Sequence, residues 1–308
     1  MISIAIPCYC SAMTLPDVVG SIRAEMLKSG QDYQIILIND GSPDNTFDII
    51  RELCKQDPAV IGINLSRNFG QHSARMAALP YISGDVVVYM DDDGQHPVDK
   101  IMLLVAKLDE GYDVAYALFE DKKHSLFQRA VSEINAYTTS LLAGKPKDIK
   151  TSAFSATRRY VVDALKAYTS PYPNWSGFLL QVTKNIANVP MRHNKRIAGK
   201  SGYTLAKMAR VWLSSLTSFS VIPLRMAVVT GSAAAFGGFI FGGYTIIQKL
   251  INPSITAGFT GTISSIFFMG GMILLTLGVM GEYLGRVFMT VNHLPQYVVR
   301  EEVNCHLD

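Results

Sequence analysis

The chain of 308 residues reads as an α/β protein, a mainly parallel sheet with helices on both faces, followed by a two-helix transmembrane hairpin. Three observations predict this. The first half alternates short, almost wholly apolar runs with helix-like segments, as strands buried on both faces do. Polar, glycine-bearing stretches fall at the carboxyl ends of those runs, where such sheets bind ligands. Beyond Met226, charge vanishes over two stretches long enough to cross a bilayer, and 49% of the chain is hydrophobic.

Taken in order, strands are predicted at SIAIP (3–7), QIILIND (34–40), VIGINLS (60–66), DVVVYMD (85–91) and DVAYALF (113–119). FDIIRELCKQ and VDKIMLLVAKLDEG carry helical periodicity between them. The segments PCYCSAM, NDGSPDNT, SRNFGQH and DDDGQHP then gather along one edge of the sheet. This catalytic domain is expected to span 1–202.

Residues 203–225 follow as a juxtamembrane amphipathic helix, with Leu205, Met208, Val211, Trp212 and Leu216 near helical spacing and Lys207 and Arg210 offset from them. A soluble helix docked on the catalytic domain would show the same pattern. Met226 to Ile247 are 22 residues without a charge. At about 1.5 Å each they cover about 33 Å, enough for a hydrocarbon core of about 30 Å. A second uncharged run extends from Leu250 to Gly281, so 226–287 is read as two transmembrane helices and 288–308 as a cytosolic tail. Buried soluble helices are the alternative. Gly237, Gly238, Gly242 and Gly243 predict close helix packing, within the hairpin or between subunits of a homo-oligomer.

Charge and cysteine usage narrow the setting. No Asp or Glu occurs between Asp163 and Glu282, whereas ten Lys and Arg do, most of them before residue 226. A cationic stretch of this kind suits a phosphate-bearing partner or an anionic membrane surface. Its position puts both ends of the hairpin in the cytosol, making this a multi-pass protein of the cytoplasmic membrane. No aromatic-interleaved or helix-reading motif points to nucleic acid. Cys8, Cys10, Cys54 and Cys305 lack finger-like spacing and read as reduced thiols. The N-terminal apolar run ends at Pro7, too short for a secretory leader.

The sharpest chemical signal is VVVYMDDDGQHP (86–97). Side chains alternate along an extended strand end, so Asp91 and Asp93 point one way and Asp92 the other. Two hard carboxylates converging there suit a divalent cation such as Mg²⁺, which would neutralise a diphosphate. A solvated acidic turn before a proline-started helix would read the same in isolation.

The motifs SIAIPCY, LINDGSPDNT, LSRNFGQHSA, MDDDGQHP and RIAGKSGYT followed by FSVIPLR occur in linked order. In this the chain resembles the polyprenyl-phosphate glycosyltransferases of glycosyltransferase family 2, over nearly its whole length. That group includes dolichol-phosphate mannose synthase, bactoprenol glucosyltransferase and the undecaprenyl-phosphate aminoarabinose transferases. The resemblance implies a GT-A, Rossmann-like catalytic domain. It also implies transfer of a sugar from a nucleotide-diphosphate sugar, a UDP-sugar by expectation, to the phosphate of a membrane polyprenol, with Mg²⁺ or Mn²⁺. Carried over residue by residue, Pro7, Tyr9, Asp40, Ser42 and Asp91 line the donor pocket. Asp91, Asp93 and Gln95 hold the metal. Arg129, Ser132, Arg196, Lys200, Ser201 and Tyr203 hold the acceptor phosphate, and Asp91, Asp93, Arg129, Arg196 and Lys200 carry catalysis.

Four departures mark this chain. Tyr9, Cys10 and Ser11 stand where many relatives read Tyr-Asn-Glu; Phe119 replaces a frequent Arg; Ser152, Ala153 and Phe154 replace Gly-Asp-Phe; and Asp92 replaces a small apolar residue. Asp92→Ala is therefore expected to be mild where Asp91→Ala and Asp93→Ala are severe. Other classes fit less well. A P-loop around GKS (199–201) needs Gly at 194 and meets Asn194, and a dinucleotide-binding turn needs glycines that PCYCSAM lacks. A processive synthase would carry a Gln-x-x-Arg-Trp motif. A membrane-anchored nucleotide-sugar-binding protein without turnover is the alternative from another class.

Overall fold

The computed structural model describes residues 1–119, 146, 148–194, 222–252 and 258–305. In chain order these form β1 (Ile2–Cys8), α1 (Leu15–Ser29), β2 (Tyr33–Asn39), α2 (Thr46–Gln56), β3 (Val60–Leu65), α3 (Gln71–Ala78) and β4 (Val86–Tyr89). Then come α4 (Ile101–Asp109), β5 (Val114–Phe119), β6 (Ser155–Arg158), α5 (Arg159–Lys166), α6 (Trp175–Val182), β7 (Ile186–Met191), α7 (Ile222–Ile251), α8 (Phe259–Val291) and β8 (Val299–Val303).

The sheet runs β7-β5-β6-β4-β1-β2-β3-β8. Its centre, β4-β1-β2-β3, is parallel, as is β5 on β7, while β6 and β8 run antiparallel to their neighbours. All seven β1 residues are buried, because the strand is covered on both faces. Ile2, Ile4 and Ile6 share one core with Leu15, Val18, Val19, Ile22 and Met26 of α1. Their spacing along α1 is that of a single helix face. Gly30, at φ 64°, closes α1: its N–H donates to the Leu27 carbonyl and the Gln31 N–H to that of Met26, each at 3.2 Å.

All five predicted strands exist at the predicted places. The sequence reading did not foresee β6, β7 or β8. The segment taken as a tail, 288–308, completes α8 and then supplies β8, which borders β3. Arg51 of α2 grips Glu301 through both nitrogens Nε (3.0 Å) and Nη2 (2.7 Å), and Tyr81 Oη donates to Glu302 (2.6 Å). Residues 1–212 and 293–308 form one compact unit and 213–292 another.

In the second unit α7 and α8 pack against each other. The windows Leu224–Gln248 and Phe268–Val291 are long and apolar enough to cross a membrane and are almost wholly unburied. Phe239 is 81% exposed and Leu274 71%, so these side chains are not covered by the described residues. The second window lies further along than the uncharged run and takes in Glu282 and Arg286, which pair one turn apart at 2.9 Å. Among the described residues a Cβ on Gly237, Gly238 or Gly243 would meet nothing within 4 Å, so the close packing expected of these three is not made by those residues. Residues 203–221 of the expected amphipathic helix lie outside the described residues.

Candidate active site

The ends of β1, β2, β3 and β4 bring four loops together. After Cys8 the chain turns through Cys10, whose φ of 55° lies in the left-handed region, and presents three successive amides to side-chain oxygens. Tyr9 N–H donates to Asp92 Oδ2 (3.1 Å) and Ser11 Oγ (3.0 Å), Cys10 N–H to Ser42 Oγ (3.0 Å), and Ser11 N–H to Thr46 Oγ1 (2.9 Å). The Ser11 hydroxyl also donates to Asp92 Oδ2. Pro7 is buried inside β1, whereas Tyr9 is 51% exposed.

Asp40 is turned inward. Its two oxygens accept the backbone N–H groups of Phe69 (2.7 Å) and Gly70 (2.9 Å), and burial raises its pKa against those bonds. It therefore ties the end of β2 to the Arg-Asn-Phe-Gly loop. Gly41, at φ 63°, lets the same two loops meet: a Cβ there would lie 2.3 Å from the Arg67 carbonyl carbon.

The three aspartates face three different environments. Asp91 Oδ1 accepts Gln71 Nε2 at 2.6 Å and lies 3.7 Å from Arg75 Nη2. Its backbone N–H donates to His96 Nδ1 at 2.9 Å, which places the imidazole proton on Nε2. Burial pushes the His96 pKa down to about 4, so the ring is neutral. Asp92 turns to the β1 loop, as above; burial raises its pKa and the Ser11 and Tyr9 donors oppose that. Asp93 Oδ1 accepts the Gln95 N–H at 3.0 Å, and Gln95 carbonyl oxygen accepts Asn194 N–H at 2.9 Å.

Asp91, Asp93 and Gln95 lie in the loop after β4, which ends at Tyr89, so strand alternation does not set their directions, and Asp91 and Asp93 have separate partners. Asp92 turns instead to the Tyr9 amide and the Ser11 hydroxyl. Arg129, Ser132, Arg196, Lys200, Ser201 and Tyr203 lie outside the described residues. Gln71, Arg75 and His96 at Asp91 were missed by the sequence reading; a lone charge in the otherwise small, buried helix QHSARMAA was the available signal for Arg75. Phe119, in the place of the family's Arg, stacks on His193 with centroids 3.5 Å apart, and His96 lies parallel to Phe154 at 5.1 Å. His96, Phe119, Phe154 and His193 thus form one aromatic cluster beside the aspartate loop.

Among the described residues no three acidic, His or Cys side chains converge into a ready metal cage. The oxygen donors of Asp93 and Gln95, with Asp91 adjacent, fit the other common arrangement for a hard cation. There one or two carboxylates hold the ion and a ligand's phosphates complete the shell. A cavity of about 570 Å³ opens beside α1, lined by Asp17, Glu25, Lys28, Gly94 and His96 among others. It contains none of the predicted site residues.

Solved structures share this fold at low identity. Glucosyl-3-phosphoglycerate synthase from Mycobacterium tuberculosis in complex with Mn²⁺ and uridine-diphosphate-glucose is 19% identical, with a TM-score of 0.51 over 70% of this chain and 77% of that one. The same enzyme with Mn²⁺, uridine-diphosphate-glucose and phosphoglyceric acid is 20% identical, with a TM-score of 0.51 over 71% and 79%. The profile described as "Glycosyl transferase family 2" matches residues 3–166. That match takes in more than half the chain and every strand end from β1 to β4, so the protein belongs to glycosyl transferase family 2 and is a glycosyltransferase with a GT-A-like domain.

Proposed function

We propose that the protein transfers a sugar, with inversion, from a UDP-sugar to the phosphate of a membrane polyprenol, undecaprenyl phosphate in a bacterium. The product is a lipid-linked sugar for modifying cell-envelope glycans. The observation that carries the lipid acceptor is the occurrence, on one chain with a family 2 domain, of two helices of spanning length whose apolar side chains are exposed. The donor reading is supported by similar structures holding uridine-diphosphate-glucose and Mn²⁺.

In this reading Tyr9 offers its exposed ring to the donor base, held by the Asp92 tie. Asp93 and Gln95, beside Asp91, hold Mg²⁺ or Mn²⁺, which supplies positive charge to a departing nucleotide diphosphate. The acceptor needs no strong protein base: a phosphate monoester has a second pKa of about 6 and is largely dianionic near neutral pH. Its oxygen attacks the anomeric carbon, the bond to the diphosphate breaks, and one displacement inverts the configuration. Arg129, Ser132, Arg196, Lys200, Ser201 and Tyr203 are proposed to orient that phosphate. The catalytic domain and both termini would face the cytosol.

The test is Asp93→Ala in membranes. We expect loss of at least about a hundredfold in sugar transfer, the scale of removing a principal electrostatic contributor, with membrane insertion unchanged. Undiminished turnover in the inserted variant would reject the assignment.

A further inference from the structure

We propose that Arg75 is a positioning residue, the internal counter-cation of Asp91, and that its charge makes divalent-metal binding depend on the nucleotide donor. The inference rests on the metal-dependent reading above. Arg75 is 4% exposed in a helix whose residues 73–78 are all buried. A guanidinium keeps its charge, so a buried one requires compensation. Its Nη2 reaches Ala153 carbonyl oxygen at 3.2 Å and Asp91 Oδ1 at 3.7 Å, with the guanidinium 5.7 Å from the centre of the Tyr89 ring. Its Nε has no hydrogen-bond partner among the described residues.

Two consequences follow for a cation arriving at Asp91 and Asp93. Oδ1 of Asp91 is already shared between Gln71 and Arg75, which fixes the carboxylate facing inward on that oxygen. The fixed positive charge beneath it also repels a dication in a partly desolvated site. A nucleotide diphosphate brings the negative charge that offsets this repulsion, so metal and donor bind together and bare metal binds weakly.

The experiment uses the full chain in detergent, with Mn²⁺ binding followed by loss of the free-ion paramagnetic resonance signal, with and without UDP. Arg75→Gln should bind Mn²⁺ without UDP roughly tenfold more tightly than the wild type, and UDP should add less than it does to the wild type. Arg75→Lys, which keeps the charge, should behave as the wild type. If Arg75→Gln does not fold, Arg75→Gln/Asp91→Asn compared with Asp91→Asn reads the same charge, and the double variant should bind more tightly by a similar factor. Equal or weaker Mn²⁺ binding on removing the charge, or a lysine variant that behaves like the glutamine one, overturns the inference. A wild type that takes up no Mn²⁺ even with UDP would instead reject the metal-dependent reading beneath it.

Discussion

Asp92 shows how far residue spacing reaches. Alternation along an extended strand end implies that Asp91 and Asp93 point one way and Asp92 the other, but β4 ends at Tyr89 and the three carboxylates lie in the turn beyond it, each with its own partners. In the fold the Asp92 carboxylate meets the Tyr9 amide and the Ser11 hydroxyl, so two departures from the family pattern, at 11 and at 92, belong to one contact. Asp92→Ala should therefore raise the donor KM by roughly tenfold, the loss of a charge-assisted hydrogen bond pair, with kcat changed much less. Asp92→Asn keeps an acceptor for Tyr9 and should recover most of the affinity. Steady-state kinetics over a donor series checks this; an unchanged KM in Asp92→Ala returns Asp92 to the bystander that spacing alone implies. Arg75 was illegible for a different reason. A buried charge has no periodic signature, and only the assembled sheet places it under Asp91.

At the scale of elements, the strands that were legible are those buried on both faces, whose near-continuous Ile, Val and Leu runs leave few alternatives. The strands that were missed sit where that signal is absent. SATR of β6 is four residues long, and IANVPM of β7 carries Pro190 on the outermost strand, where a missing donor is tolerated. VREEV of β8 is charged because it is an edge, and charge protects an edge from further pairing. Its attachment depends on Arg51 and Glu301, and the Arg51 hydrogen bonds hold the Glu301 carboxyl below the ordinary glutamate range. A depressed folded pKa contributes stability that is present above the unfolded value, about 4.5, and lost as pH falls through the folded one. The thermal midpoint of the wild type should exceed that of Glu301→Gln at neutral pH, by the modest amount expected of an exposed pair, and the gap should close below about pH 4. A gap independent of pH would show that the carboxylate charge does not hold the strand.

For the whole molecule, the sequence revealed both parts because they obey different rules. The first unit obeys the solvent logic of a soluble α/β domain, with polar loops at one end of its strands. The second is legible by length and scarcity of charge alone, the two properties that make its helices long and apolar enough to cross a membrane. The proposed donor residues come from the loops after β1, β2, β3 and β4, where carboxylates and glycines have few structural uses. The proposed acceptor residues lie outside the described residues, most of them in a carboxylate-free, basic stretch, and single Arg and Lys residues carry no geometry. The account stands or falls on the acceptor. Membranes carrying the protein should be incubated with polyprenyl phosphate and a panel of radiolabelled nucleotide sugars, with and without EDTA, and the lipid extracted. We expect one UDP-sugar to label the polyprenyl phosphate, with labelling lost when EDTA is present; label that never enters the lipid with any donor, or that enters it equally in EDTA, would contradict the account.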